Sequence, residues 1–389
     1  MLRCGVVGYG YWGVNVARTI ESLECAELYA LCEIESTRAK EALGAFPHLR
    51  IYEDFEEFLG DENIECVCII TPPHTHFALA KKAIESRKHL FVEKPLCMSY
   101  AHSQILYELA DRHNVVLYCD HIFLHAPAVE YLKAHIADFG NIVSITARRI
   151  NLGLFQSATD VVWDLAIHDL SIIDYLIGLD VRRVSVFRQK YLNYPNDAFA
   201  VLSLELTNNV IVMINVSWLS PIKVREITIG GSRQTAIYDE TRSDKLRIYT
   251  SGVVLEQNLQ TPALHQMMIK YRLGEVQTPE ITKELALDRS IKAFVRLVEA
   301  KMRENTESRS VKNAQSVQNA DSSVDKTDKA GNADGLGGLG EAAHQNTHNG
   351  TQSRLEIHKD AQSLLWGEAE YRAHTLRVMA VLERLREAR

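Results

Sequence analysis

The feature that most restricts the fold is a glycine pattern near the start of the chain. Residues 3–7 read as a strand, and Gly8-Tyr9-Gly10-Tyr11-Trp12-Gly13 follows directly. Val16, Ala17, Ile20 and Leu23 then recur at helical spacing, so the glycines join a strand to an amphipathic helix. Gly8 allows the tight turn, Gly10 lets the backbone approach a phosphate, and Gly13 lets helix and strand pack closely. The helix start, with Tyr11 and Trp12, offers free amides and a positive dipole end to a pyrophosphate. A second strand over 27–32 ends in Glu33, a carboxylate placed for ribose hydroxyls and repulsive to a 2′-phosphate. The pattern predicts a dinucleotide site for NAD; Arg38, a few residues on, keeps NADP open.

Strand–helix alternation continues. Helices over 36–45, 54–59, 77–86 and 99–112 alternate with strands at 50–52, 66–70, 90–92 and 115–119, which predicts a doubly wound parallel sheet. In such sheets ligands bind beyond the carboxyl ends of the strands. Thr71, Pro72 and His76 follow one strand end, and Glu93 and Lys94 another, so all five join the cofactor-site candidates. Pro95 restricts the backbone of Lys94 as well as its own. His74 and His76 lack a cysteine or carboxylate at ligand spacing, so no metal site is expected.

A chain of 389 residues exceeds one ordinary core, so two domains are expected. The net charge of −7 carries no basic stripe for nucleic acid. No apolar run approaches the ~20 residues of a membrane helix. The start lacks the basic, apolar and small-residue regions of a signal peptide. Seven scattered cysteines, several inside strand-like runs, suggest reduced thiols and a cytoplasmic protein. Asn349-Gly350-Thr351 then reads as a chance sequon.

The run from Cys66 through Thr71-Pro72-Pro73-His74-Thr75-His76, with Ala78, Ala80 and Ala83, and then His89-Leu90-Phe91-Val92-Glu93-Lys94-Pro95-Leu96, resembles the Gfo/Idh/MocA oxidoreductases. The Glu-Lys-Pro strand end is that family's hallmark. The resemblance implies that Lys94 sits at the nicotinamide and substrate and that the bond before Pro95 is cis. Further on, Asp160 or Thr159 can cap a helix in which Asp164 and His168, four apart, share a face. Val161, Leu165, Ile172, Leu176 and Ile177 read as its core side. A carboxylate one turn before an imidazole can orient it and raise its basicity. The family carries Asp-x-x-x-His on this helix, which Asp164 and His168 match.

Arg149-Ile150-Asn151-Leu152-Gly153 followed by Trp163-Asp164-Leu165-Ala166-Ile167-His168-Asp169 is similar to the branch acting on nucleotide-linked sugars. Arg149 and Asn151 thereby become substrate candidates, with strand-end polarity the competing reading. The chain departs from the family at His125-Ala126, where Tyr-Asn often precedes the proline. Trp218, Pro221 and Arg225 resemble the family's Ser-Trp…Pro…Arg run and read as sheet structure.

From Val181 onward the hydrophobic period is two, with Asn-Asn, Ser-Pro and Gly-Gly turns, which predicts a large antiparallel sheet. The expected organisation is a Rossmann domain over 1–121, an α+β domain over 122–303, a low-complexity insertion over 304–360 and a closing helix over 361–389. The insertion, poor in aromatics and carrying His344, His348 and His358 without ligand spacing, is expected to be disordered. By resemblance the sheet packs against a second subunit in a homodimer or homotetramer.

The expected activity is hydride transfer between nicotinamide and a CH–OH group of a sugar, with Lys94 or His168 moving the proton and Asp164 orienting His168. Competing readings are a free polyol or inositol dehydrogenase and a nucleotide-binding regulator without turnover.

Overall fold

The structure is a computed structural model, and its described residues are 1–153, 155–255, 269–324 and 366–388. The first sheet holds β1 (Leu2–Val7), β2 (Ala26–Cys32), β3 (Arg50–Tyr52), β4 (Cys66–Ile69), β5 (His89–Glu93) and β6 (Leu117–Asp120). Their spatial order is β3-β2-β1-β4-β5-β6, every pair parallel. Apolar runs such as Cys66-Val67-Cys68-Ile69 fit strands covered on both faces, and that run is buried throughout. The covering helices are α1 (Tyr11–Ser22), α2 (Ser36–Ala45), α3 (Phe55–Gly60), α4 (Pro73–Glu85) and α5 (Tyr100–His113).

After α6 (Pro127–His135) comes β7 (Ile142–Leu152), then a π-helical turn, Val162–Ala166, running into α7 (Ile167–Ile177). The second sheet adds β8 (Val181–Lys190), β9 (Asp197–Leu206), β10 (Ile211–Ser217), β11 (Leu219–Gly231), β12 (Thr235–Asp239) and β13 (Leu246–Tyr249). Two short strands, β14 (Gly252–Leu255) and β15 (Ile269–Arg272), form a separate ribbon, and β16 (Val276–Gln277) edges the large sheet. Its order is β16-β13-β12-β11-β7-β10-β9-β8. The expected antiparallel pattern holds except at its centre, where β7 and β10 run parallel.

Among the described residues two helices close the chain, α8 (Ala286–Val324) and α9 (Glu368–Glu387). One compact unit comprises Met1–Val298 with Gly367–Arg389, and Glu299–Trp366 forms a second. α8 runs past 303 to Val324, so residues 304–324 of the insertion expected to be disordered are helical, because no glycine or proline interrupts Ala286–Val324. The remainder of the expected insertion, including His344, His348, His358 and the sequon, lies outside the described residues. Among the described residues no helix is long and apolar enough to cross a membrane.

α9 is fastened by a buried polar cluster. Asp174 accepts from His374 Nδ1 at 2.6 Å and from Arg377 at 2.7 and 2.8 Å, while Ser171 Oγ lies 3.0 Å from His374 Nε2. A carboxylate at Nδ1 places the proton there, so Nε2 accepts from the serine hydroxyl. Val378, Val381 and Leu382 complete the buried face of this helix.

Candidate active site

A cavity of about 770 Å³ lies at the carboxyl ends of the parallel strands, lined by Tyr11, Trp12, Glu93, Lys94, Asp164 and His168 among others. Lys94 leaves β5 through a cis bond to Pro95. Its Nζ donates to the Asp164 backbone carbonyl at 2.9 Å and to Asp164 Oδ1 at 3.3 Å. The other carboxylate oxygen, Oδ2, accepts from Trp218 Nε1 at 3.0 Å. A strand end, a helical turn and the second sheet therefore hold one lysine in place.

The turn carrying Asp164 is π-helical, a form often found at functional sites. Asp160 caps it as expected, accepting from the amides of Val162 and Trp163. The extra residue in the turn upsets the simple four-residue stacking of Asp164 over His168. The expected orientation of His168 by Asp164 is not found: the carboxylate serves Lys94 and Trp218, and among the described residues no hydrogen bond joins it to the imidazole. His168 instead rests edge-on against Phe123, with ring centroids 4.9 Å apart. Burial drives its pKa well below the usual value, and the nearby charges of Lys94, Arg149 and Arg225 act in the same direction. The ring is therefore neutral at pH 7. Leu165, expected in the core, lines the cavity.

The glycine loop fits a dinucleotide. Gly8 adopts φ +92°, and a Cβ on Gly13 would lie 2.2 Å from the Gly8 carbonyl oxygen. A Cβ on Gly10 would meet only Arg38 Nη1, at 3.9 Å, so the approach to its backbone is open. α1 has no side-chain cap and no acidic residue in its first turn, which leaves its amides to an anion. Trp12 and Glu93 both line the cavity, and among the described residues Trp12 Nε1 and Glu93 Oε2 are buried without a hydrogen-bond partner. Glu33 is buried and accepts from the amides of Tyr9 and Glu35, at 2.7 and 2.9 Å. Arg38 pairs with Glu35 at 2.9 Å.

Other candidates occupy different places from those expected. α4 starts at Pro73, as a proline at the first helical position favours. His76 therefore lies inside the helix, fully buried, rather than on a loop. Its ring nitrogens sit 2.8 Å from the carbonyls of Pro95 and Thr71. His76 thus ties two loops behind the site together and does not line the cavity. Thr71 Oγ1 is 2.6 Å from Thr75 Oγ1, and Pro72 precedes the helix.

Arg149 lines the cavity yet is buried, donating through Nε and Nη2 to Asp169 at 3.1 and 2.8 Å. Among the described residues its Nη1 has no hydrogen-bond partner, and it lies 3.8 Å from the Glu240 carboxylate. Asn151 is not among the cavity-lining residues.

Sequence reasoning missed Trp218 and Arg225 as site residues. Arg225 lines the cavity and pairs with Glu240 at 3.1 Å. The signal was present in the Trp…Arg run, which was read as sheet structure. It also missed Asp120, which stands beside Glu93. Burial, reinforced by Asp120, pushes Glu93 up to about 8. Burial likewise pushes Asp120 up to about 7, against the hydrogen bond from Ser290.

Fold and site together define a class: a two-sheet oxidoreductase fold with an NAD-binding Rossmann half. Residues 2–121 match the oxidoreductase family with NAD-binding Rossmann fold known as Gfo/Idh/MocA, and residues 138–237 match that family's C-terminal domain. The chain belongs to the Gfo/Idh/MocA family.

One relative is the UDP-N-acetylglucosamine 3-dehydrogenase of Acidithiobacillus ferrooxidans, 31% identical over 191 residues, covering 48% of this chain and 58% of the relative. The chain thus spans little more than half of that relative's length. Myo-inositol 2-dehydrogenase of Thermotoga maritima is 25% identical over 197 residues, covering 47% of this chain and 57% of the relative. A solved structure of the Acidithiobacillus enzyme superposes with a TM-score of 0.65 at 24% identity, covering 77% of this chain and 89% of that one. A 3-ketoreductase from Actinomadura kijaniata, solved with TDP-benzene and NADP, reaches 0.68 at 14% identity over 100% of this chain and 97% of its own.

Proposed function

We propose that this protein is an NAD-dependent oxidoreductase that moves hydride between nicotinamide and a secondary alcohol or ketone of a nucleotide-linked sugar. The observation that carries the reading is Lys94, tied to Asp164 and placed beside a neutral His168 in a cavity at the carboxyl ends of the parallel strands. The bound nicotinamide cofactor would supply or take the hydride. Gly8, Gly10, Gly13 and the amides at the start of α1 would hold its pyrophosphate, with Tyr11, Trp12, Thr71, Pro72 and Glu93 around it.

Glu33, kept at the tip of β2 by two amides, supports NAD over NADP. Arg38, engaged with Glu35, supports the same choice.

Two donor contacts of Lys94 are spent on Asp164, which directs the remaining N–H toward a substrate oxygen. His168, neutral and without a hydrogen bond among the described residues, is the group available to take the hydroxyl proton during oxidation. Asp164 and Trp218 act through Lys94 as positioning residues. Arg149 would shape the cavity wall through Asp169 more than it contacts substrate.

The cavity volume of about 770 Å³ supports a nucleotide-linked substrate, and Arg225, Lys245 and Lys283 on its wall suit phosphates. A free polyol is the second reading, favoured by the inositol dehydrogenase relative. Incubation with UDP- and dTDP-sugars and with inositol, read as NAD reduction, separates them: activity on inositol alone overturns the first. Lys94→Met, assayed with saturating cofactor, is expected to lower turnover by about 10²- to 10⁴-fold. Near-normal turnover would remove Lys94 from the mechanism.

Seven free cysteines support a reducing, cytoplasmic setting. The outer face of the large sheet exposes Phe187, Ile211 and Met213, which supports a homo-oligomer built on that face. We take residues 1–121 as the cofactor domain, 122–303 with the closing helix as the substrate domain, and 304–360 as an insertion.

A further inference from the structure

The ends of β5 and β6 place two carboxyl groups side by side. Glu93 and Asp120 are register partners on adjacent parallel strands, whose backbones lie about 5 Å apart. Asp120 is fully buried; Oδ1 accepts from Ser290 Oγ at 2.7 Å, and among the described residues Oδ2 has no hydrogen-bond partner. Glu93 faces the cavity next to Lys94, and its Oε2 is buried without a partner.

Several groups face this pair: Lys94 at the end of β5, Asp164 from the π-helical turn, Cys68 from β4, Tyr118 and Cys119 from β6, and Ser290 from α8, whose hydroxyl also meets Tyr118. Lys94 is the one cation among them, and its ammonium is bonded to Asp164 rather than to either member of the pair. His121 is kept neutral, chiefly by burial. Two adjacent carboxyl groups in such surroundings do not both ionise.

We infer that Glu93 and Asp120 share one proton in the cofactor-free protein, release it to solvent when the oxidised, cationic nicotinamide ring enters the cavity, and keep it when the reduced, neutral ring does. The carboxyl O–H breaks, the proton passes to buffer, and no electrons move. The inference rests on the NAD reading above. Its consequence is a sign: the oxidised cofactor binds more tightly as pH rises through 7 to 8, and the reduced cofactor does not.

The test is calorimetric titration of each cofactor into the full-length protein at pH 7.5, in phosphate and in Tris, whose ionisation enthalpies differ. The oxidised cofactor is expected to release up to about one proton and the reduced cofactor almost none. Asp120→Asn should bind the oxidised cofactor with a smaller release, since Glu93 keeps its burial but loses the neighbouring charge. Should that variant fold poorly, Ser290→Ala provides a second test. It removes the hydrogen bond that favours ionised Asp120, so the pH of greatest proton release should move upward.

Equal binding enthalpies in the two buffers for the oxidised cofactor would overturn the inference. So would the same release from both cofactors, undiminished release in Asp120→Asn, or an unmoved optimum in Ser290→Ala. Binding without proton release sinks this inference alone, whereas failure of the wild-type protein to bind either cofactor sinks the NAD reading with it.

Discussion

At the scale of single residues, the site depends on which atoms are already engaged. Trp218 holds Asp164, and Asp164 holds Lys94, so an indole N–H on the second sheet fixes an amine on the first. Trp218→Phe keeps an aromatic ring but deletes the indole N–H, whose hydrogen bond is worth about 1 kcal/mol, and trims some buried volume. Turnover is expected to fall about fivefold with cofactor affinity unchanged, as measured by steady-state kinetics and fluorescence titration. Unchanged turnover would show that Trp218 only fills space. Lys94 and His168 were legible in the sequence because a strand-end motif and a helical spacing are local signals. The Trp218 link was not, because its partners lie 54 positions apart and only the folded sheet brings them together. Arg149 was legible as a site residue but not in its role, since nothing in a strand's period reveals that Asp169 already engages its guanidinium.

At the scale of elements, strand and helix positions in the Rossmann half were read closely, with errors mainly at ends. α4 begins four residues before the expected Phe77, because a proline that ends a loop also starts a helix well. The π-helical turn escaped notice because one extra residue leaves the apolar pattern intact on either side. α9 offers a prediction of its own. Burial lowers the His374 pKa more than the hydrogen bond to Asp174 raises it. The unfolded ring, near 6.5, therefore takes a proton that the folded ring refuses, and stability falls as pH drops below about 6.5 toward the folded value. His374→Gln should make urea-measured stability less steep between about pH 6.5 and 5, by up to ~1.4 kcal/mol per pH unit. Parallel slopes for wild type and variant would show that His374 does not titrate on unfolding. The lowered pKa of Asp174 does not enter this window, since an acid held below its usual value destabilises only below about pH 4.

At the scale of the whole molecule, alternation along β8 and β10 leaves Phe187 72% exposed and Met213 48% exposed on the sheet's outer face. If that face joins two copies, Met213→Glu places a charge in the joint and should give a monomer by analytical ultracentrifugation with its circular dichroism unchanged. A wild-type protein that sediments as a monomer would refute the pairing. The fastening of α9 has a consequence in time. Asp174 is made 200 residues before His374. At about 5–20 residues per second of synthesis, the nascent chain carries that carboxylate without its partners for about 10 to 40 s. During that interval the surface later covered by Val378, Met379 and Leu382 is open, and this is the period in which a chaperone would have most to hold.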